Sequence, residues 1–157
     1  MSSENTARFT FAPAVQAVLK SDTPEAQLAG AWVRYAQSLV GEGGVRMEDA
    51  VANDVRCSEL EAAGYPAGLT GLRLFRSHVN EAFPDERVFV ASMRFPEPGI
   101  VAAELHARAT HLGPLMGRQP TGKQVFFVIN TLNRFVDGRL KERWDRVDFG
   151  RVLRELE

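Results

Sequence analysis

The chain has 157 residues, 45% of them hydrophobic, with 19 basic and 20 acidic side chains and a formal net charge of -1. That length and apolar content suit one domain around one sizeable core, and the near-zero charge gives no field for holding a polyanion, so no nucleic-acid partner is expected. The lone cysteine, Cys57, precludes an internal disulfide or a thiolate metal cage and suits a reducing cytoplasm; with no leader pattern and no run of roughly 18 apolar residues, a soluble, unprocessed chain with no membrane partner is expected.

Residues 1–22 read as an N-terminal extension, polar over Met1 to Thr6, with a short helix over Ala14 to Leu19 after Pro13. The main domain is expected over residues 23–157. It opens at Thr23-Pro24-Glu25, a hydroxyl cap followed by a proline at the first helical position and a carboxylate near the positive end of the dipole. Leu28, Trp32, Tyr35 and Leu39 then recur at helical spacing, and Gly41 with Gly43-Gly44 ends the run.

A short helix is expected over Met47 to Ala52, and Asn53 to Gly68, mixed in character with two glycines, reads as loop. Thr70 opens a further helix with the apolar stripe Leu72, Phe75, Val79 and Ala82, stopped by Pro84-Asp85.

From there the period changes to that of strands: Arg87 to Arg94, Ile100 to Leu112, Lys123 to Val136 and Arg139 to Val147. Pro96-Glu97-Pro98-Gly99 marks a turn, Gly113 to Gly122 a longer connection, and Asp137-Gly138 a type I′ hairpin. Asp148 caps a last short helix with Val152, Leu153 and Leu156 inward. Helices first and a twisted antiparallel sheet afterwards predict an α+β domain whose helices cover one sheet face, leaving a conical space.

Alternation puts Asp145 on one side of its strand with Arg143 and Val147, and Trp144 and Glu142 on the other. Asp145 is therefore a candidate acid/base residue. An apolar surround favours a proton donor and the adjacent Arg143 a base, so both roles stay open, as does a purely structural pairing with Arg143. On the preceding strand Thr131 and Asn133 interrupt the apolar row of Val125, Phe127, Ile129 and Phe135, which suits orienting a ligand or a satisfied polar core.

The row Val101, Ala103, Leu105, Ala107 and Ala109 is mostly small, and His111 continues it at the expected rim, where it could assist Asp145 in moving a proton. Trp32 and Tyr35 are core residues of the first long helix, either of which could line the pocket wall. His106 has the opposite parity and His78 lies among polar helix neighbours, so neither is expected in chemistry. The three histidines lack metal-ligand spacing, so no metal is expected, and Cys57 has no base partner and reads as inert.

An ordered series of pieces resembles the SnoaL-like polyketide cyclases of the nuclear transport factor two-like superfamily. It comprises Gly68-Leu69-Thr70-Gly71, Ala82-Phe83-Pro84-Asp85, Thr110-His111-Leu112-Gly113, Met116-Gly117 and Pro120-Thr121-Gly122-Lys123. It continues through Arg134-Phe135-Val136-Asp137-Gly138-Arg139-Leu140, Glu142-Arg143-Trp144-Asp145 and the C-terminal Leu153-Arg154-Glu155-Leu156.

The resemblance implies a cone-shaped α+β barrel with a pocket for a hydrophobic small molecule, often paired as a homodimer through its outer sheet face. It also implies intramolecular aldol closure without metal or organic cofactor, while related members hydroxylate, hydrolyse epoxides or isomerise. The acid/base aspartate of these cyclases corresponds to Asp145. A histidine on the preceding strand of some cyclases corresponds to Thr131, a departure from the aldol arrangement. Three readings follow: a cofactor-independent cyclase-like enzyme using Asp145, a noncatalytic binding module, and an epoxide hydrolase or isomerase.

Overall fold

The computed structural model describes residues 7–157; the polar stretch Met1 to Thr6 lies outside them. Strand β1 (Phe9–Phe11) leads into helix α1 (Pro13–Lys20), and α2 (Pro24–Val40) follows. The Thr23 hydroxyl accepts from the Ala26 N–H at 3.1 Å, and Gly41 closes α2 in the left-handed region at φ 69°. After a single 3-10 turn, α3 (Met47–Ala50), β2 (Val51–Cys57), α4 (Ser58–Ala62) and α5 (Gly68–Ala82) complete the helical half. The remainder is β3 (Arg87–Arg94), β4 (Ile100–Thr110), β5 (Gln124–Val136), β6 (Arg139–Val147) and α6 (Phe149–Glu155), capped by Asp148 through the Arg151 N–H.

The six strands form one curved, unclosed sheet in the order β1-β3-β4-β5-β6-β2. Its four central strands are antiparallel as expected, but both edges are parallel additions, β1 on β3 and β2 on β6, so the sheet is mixed. The expectation of loop over Asn53 to Gly68 is corrected by β2 and α4. Val51, Val55 and Cys57 of β2 are buried while Asn53, Asp54 and Arg56 are exposed. An edge strand buries few residues, and this irregular pattern broke the alternation that marks a strand.

Two glycines of the motif series are required by close backbone approach. A Cβ on Gly71 would overlap the carbonyl oxygen of Pro66, and one on Gly113 would overlap that of Glu81. The second approach lets the Leu112 and Gly113 N–H groups both donate to the Ala82 carbonyl, tying the end of α5 to the exit of β4.

The β5–β6 hairpin sets which side chains face inward. Asp137 and Gly138 both have positive φ, 51° and 77°, as a type I′ turn requires, and Val136 pairs with Arg139 and Phe135 with Leu140. The next pair is Arg134 with Glu142, so Lys141 is an extra residue on β6: a β-bulge. Beyond it Asn133 faces Arg143, Thr131 faces Asp145 and Ile129 faces Val147. Were Lys141 paired with Arg134 instead of bulged out, the hairpin would set Thr131 against Trp144 and turn Asp145 to the outer face.

The inner sheet face and the helices enclose a core that includes Trp32, Tyr35, Leu72, Val90, Val101, Leu105 and Leu140. A second cluster, with Phe83, Ala109, Leu115, Val125, Val152 and Leu156, fills the end under α6. Apolar burial on this scale is the main stabilising term, worth roughly 1.5–3 kcal/mol for each large side chain fully removed from water.

Candidate functional site

Arg143 is the centre of the polar group on the inner face. Its Nη2 lies 2.8 Å from Asp145 Oδ2, its Nη1 donates to Glu59 Oε1 at 2.6 Å, and its Nε donates to the Tyr35 hydroxyl at 3.1 Å. The guanidinium carbon stands 5.3 Å from the centroid of the Phe75 ring, so a cation–π contact supplements the bonds made in its own plane. Burial works against the charge of Arg143, but Asp145 foremost, then Tyr35 and Glu59, raise its pKa above the ordinary value and keep it charged. Burial likewise drives the Tyr35 phenol far above its usual range, so it stays neutral.

Asp145 is held on both oxygens. Oδ2 faces Arg143, and Oδ1 accepts from the Thr131 hydroxyl at 2.5 Å. The Thr131 hydroxyl also lies 2.8 Å from Asn133 Oδ1, which accepts the Trp32 indole N–H at 2.9 Å. The Trp32 bond fixes the orientation of the Asn133 amide and leaves its Nδ2 buried without a partner. The side chains grade outward in exposure, Arg143 at 7%, Asp145 at 17% and Glu59 at 33%, so solvent reaches the two carboxylates and scarcely the cation between them.

The structure thus brings Asp145, Arg143, Thr131, Asn133, Trp32 and Tyr35 into one network, with Trp32 and Tyr35 acting as buried supports rather than as pocket wall. Phe127 is half-buried on the same sheet face and packs against Phe83, ring centroids 6.0 Å apart. Phe127, Ile129 and Val147 on the sheet are partly exposed, as are Tyr65, Phe75 and Val79 on the helical side. Met116, at 71% exposure, does not plug the interior.

The three concavities described, of about 560, 850 and 350 Å³, lie at the α2 and hairpin end, on the outer face by Leu132 and Trp144, and beside β1, and none is lined by Asp145.

The expectation for His111 is corrected. It is fully buried against Phe83 rather than at an open rim, and its Nδ1 accepts from the Thr121 N–H at 3.2 Å. Asp145 pairs through Thr131 with Ala103, so His111 lies eight residues further along the β4 line, roughly 26 Å of extended chain, too far to exchange a proton with Asp145.

The residues missed in the sequence are Glu59 and Phe75. Phe75 was assigned to core, and Glu59 fell in the segment read as loop. A buried arginine with five donors demands more than one acceptor, which is the signal that could have prompted a search for a second carboxylate. Among the described residues no group of three or more His, Cys, Asp or Glu side chains has the arrangement of a metal site.

Solved structures of similar fold agree with this architecture. AclR, a candidate hydroxylase from Streptomyces galilaeus, is 25% identical with a TM-score of 0.68, over 83% of this chain and 81% of that one. TsrD from Streptomyces laurentii is 14% identical with a TM-score of 0.72, over 83% and 95%. IdmH, a candidate polyketide cyclase from Streptomyces antibioticus, is 23% identical with a TM-score of 0.67, over 83% and 98%. The last two likenesses concern the fold alone. No curated protein matches the chain. The family model described as SnoaL-like polyketide cyclase matches residues 35–156, well over half of the chain, and the chain belongs to the SnoaL-like polyketide cyclase family.

Proposed function

We propose that the protein is a cofactor-independent acid–base enzyme acting on a hydrophobic, oxygenated, polyketide-like small molecule, with Asp145 as the proton-transferring group. The observation that carries this reading is the placement of Asp145 on the inner sheet face, fixed by Thr131 and Arg143 yet still reached by solvent. A carboxylate held in one orientation beside a permanent cation is prepared to take a proton from carbon and to stabilise the resulting enolate. The strip of Phe127, Ile129, Val147 and Phe75 offers apolar contact for the ligand.

In an aldol-type closure Asp145 removes a proton flanked by two carbonyls, and the new alkoxide is protonated as the ring forms. Holding the two reacting carbons together supplies much of the rate. Opening of an epoxide by water is the second reading, favoured by Thr131 in the place of the cyclase histidine and by the two carboxylates around Arg143.

Incubation with poly-β-keto compounds and with epoxides in ¹⁸O-labelled water separates these readings by product mass. Ring closure incorporates no label, and hydrolysis incorporates one atom. Asp145→Asn is expected to lose turnover by a factor on the order of 10² to 10⁴ with the fold retained. Undiminished turnover by that variant rejects the assignment, and tight ligand binding without turnover by the unaltered protein favours a binding module.

We also propose a homodimer through the outer sheet face. Phe89, Phe126, Val128, Leu132 and Trp144 stand exposed there, more apolar surface than isolated side chains would present. His106 lies on this face, bonded to Glu104 at 2.7 Å. The free thiol of Cys57 suits a reducing compartment such as the cytoplasm. Among the described residues no helix is long and apolar enough to cross a membrane.

A further inference from the structure

Two carboxylates share one guanidinium at the centre of this site. Asp145 and Glu59 both bond Arg143, at 2.8 and 2.6 Å, while the neighbouring cations Lys141 and Arg56 are committed to Asp54 and Glu61. With both carboxyls ionised the array carries a net charge of -1 in a place where Arg143 and Tyr35 are buried. An unbalanced charge in such surroundings is relieved most cheaply by taking up a proton.

The geometry distinguishes the two ends. Both oxygens of Asp145 are engaged, one by Thr131 and one by Arg143. Glu59 turns one oxygen to Arg143 and is the more exposed of the pair, so it exchanges protons with solvent more readily than Asp145.

We propose that Glu59 is the second acid–base residue of the site, sharing one proton with Asp145 across Arg143. The inference rests on the acid–base reading given above and adds to it the group that returns the proton. Burial first of all, with the charge of Asp145 adding to it, raises the pKa of Glu59 above its ordinary value against the pull of Arg143. The titratable groups acting on Glu59 are Cys57 from β2 and Arg143 and Asp145 from β6, while Tyr35 from α2 and Phe75 from α5 contact Arg143.

The protons balance in a ring closure. The Asp145 carboxylate takes the proton as the C–H bond breaks, and the released electron pair forms the new C–C bond to the second carbonyl carbon. The carbonyl π pair moves to oxygen, and the alkoxide takes the proton of the Glu59 carboxyl. The product leaves with Asp145 protonated and Glu59 ionised, so Arg143 faces one carboxylate and one carboxylic acid before and after. Transfer of the Asp145 proton to water and uptake of one by Glu59 restore the start.

The test is a carboxyl ¹³C titration of the full chain labelled at glutamate, with Glu59 assigned by the signal lost in Glu59→Gln. Glu59 is expected to titrate above the ordinary glutamate range and to shift downward in Asp145→Asn, because the neighbouring negative charge is gone. Titration in the ordinary range, or at a position unmoved by Asp145→Asn, overturns the proposal.

This readout needs no substrate, so it fails independently of the functional reading. On a turned-over substrate, Glu59→Gln is expected to lose on the order of 10²-fold in rate and one ionisation from the pH–rate profile. A Glu59→Gln profile identical to that of the unaltered protein, with Asp145→Asn inactive, removes Glu59 and leaves Asp145 as the acid–base group.

Discussion

The indole N–H of Trp32 donates to the side-chain oxygen of Asn133 at 2.9 Å, joining residues 101 positions apart in the buried interior. Through that oxygen the long helix α2 orients the polar row of β5, and through Thr131 it reaches Asp145. Trp32→Phe keeps most of the packing and deletes the donor. We expect a loss of about 1–3 kcal/mol in urea unfolding, the cost of an acceptor stranded in the core. Trp32→Ala, which also opens a cavity, is expected to lose about 3–5 kcal/mol. A Trp32→Phe variant as stable as the unaltered protein would show that the bond contributes nothing.

The ion pair between Arg76 and Glu86, 2.7 Å long with both side chains largely buried, joins α5 to the start of β3. Removing one partner leaves a charge without compensation. Glu86→Ala is expected to destabilise by about 3–5 kcal/mol, and the double replacement Arg76→Met with Glu86→Leu to recover most of that loss. Calorimetry on the two variants checks the order, and a double variant no better than the single would contradict it.

Cys57 is buried, and its thiol is pushed up to about 11, by burial first, against the opposing charge of Arg143. The thiolate is the reactive form, so alkylation by iodoacetamide at pH 8 is expected to be far slower in the folded chain than in urea, and to accelerate as pH approaches 11. The linkage has a definite sign. A folded-state value above the ordinary 9.0 means that the thiol's contribution to stability is full below pH 9 and is lost as pH rises through 11. Cys57→Ser is expected to flatten that part of the stability profile. Labelling of the native protein at the unfolded rate would rule out the buried neutral thiol.

A single charge on the outer face tests the dimer. Leu132→Lys is expected to shift the sedimenting species from twice the chain mass to one, with the circular dichroism unchanged. A wild-type chain that sediments as a monomer at micromolar concentration removes the proposal.

The parts of the fold legible from residue patterns were those with long unbroken periods. Leu28, Trp32, Tyr35 and Leu39 marked α2, and the alternating rows of β4 and β5 gave both strands within two residues of their ends. The parallel edges were illegible. β1 has three residues, and β2 pairs with β6 through an irregular register between Val51 and Arg56, so neither carries enough alternation to stand out from loop.

The same limit governed the site. Asp145, Arg143, Thr131 and Asn133 came from neighbouring strands and were grouped correctly by parity. Glu59 reaches Arg143 from a helix of five residues, and nothing within that short segment points to a partner 84 positions away. His111 was misplaced because parity gives the side of a sheet and not the position along it.

The bulge at Lys141 makes strand register a determinant of chemistry. Were Lys141 paired with Arg134 instead of bulged out, the inward and outward sets from Glu142 to Val147 would exchange, presenting an indole to the interior and the acid to solvent, although no catalytic side chain had been altered.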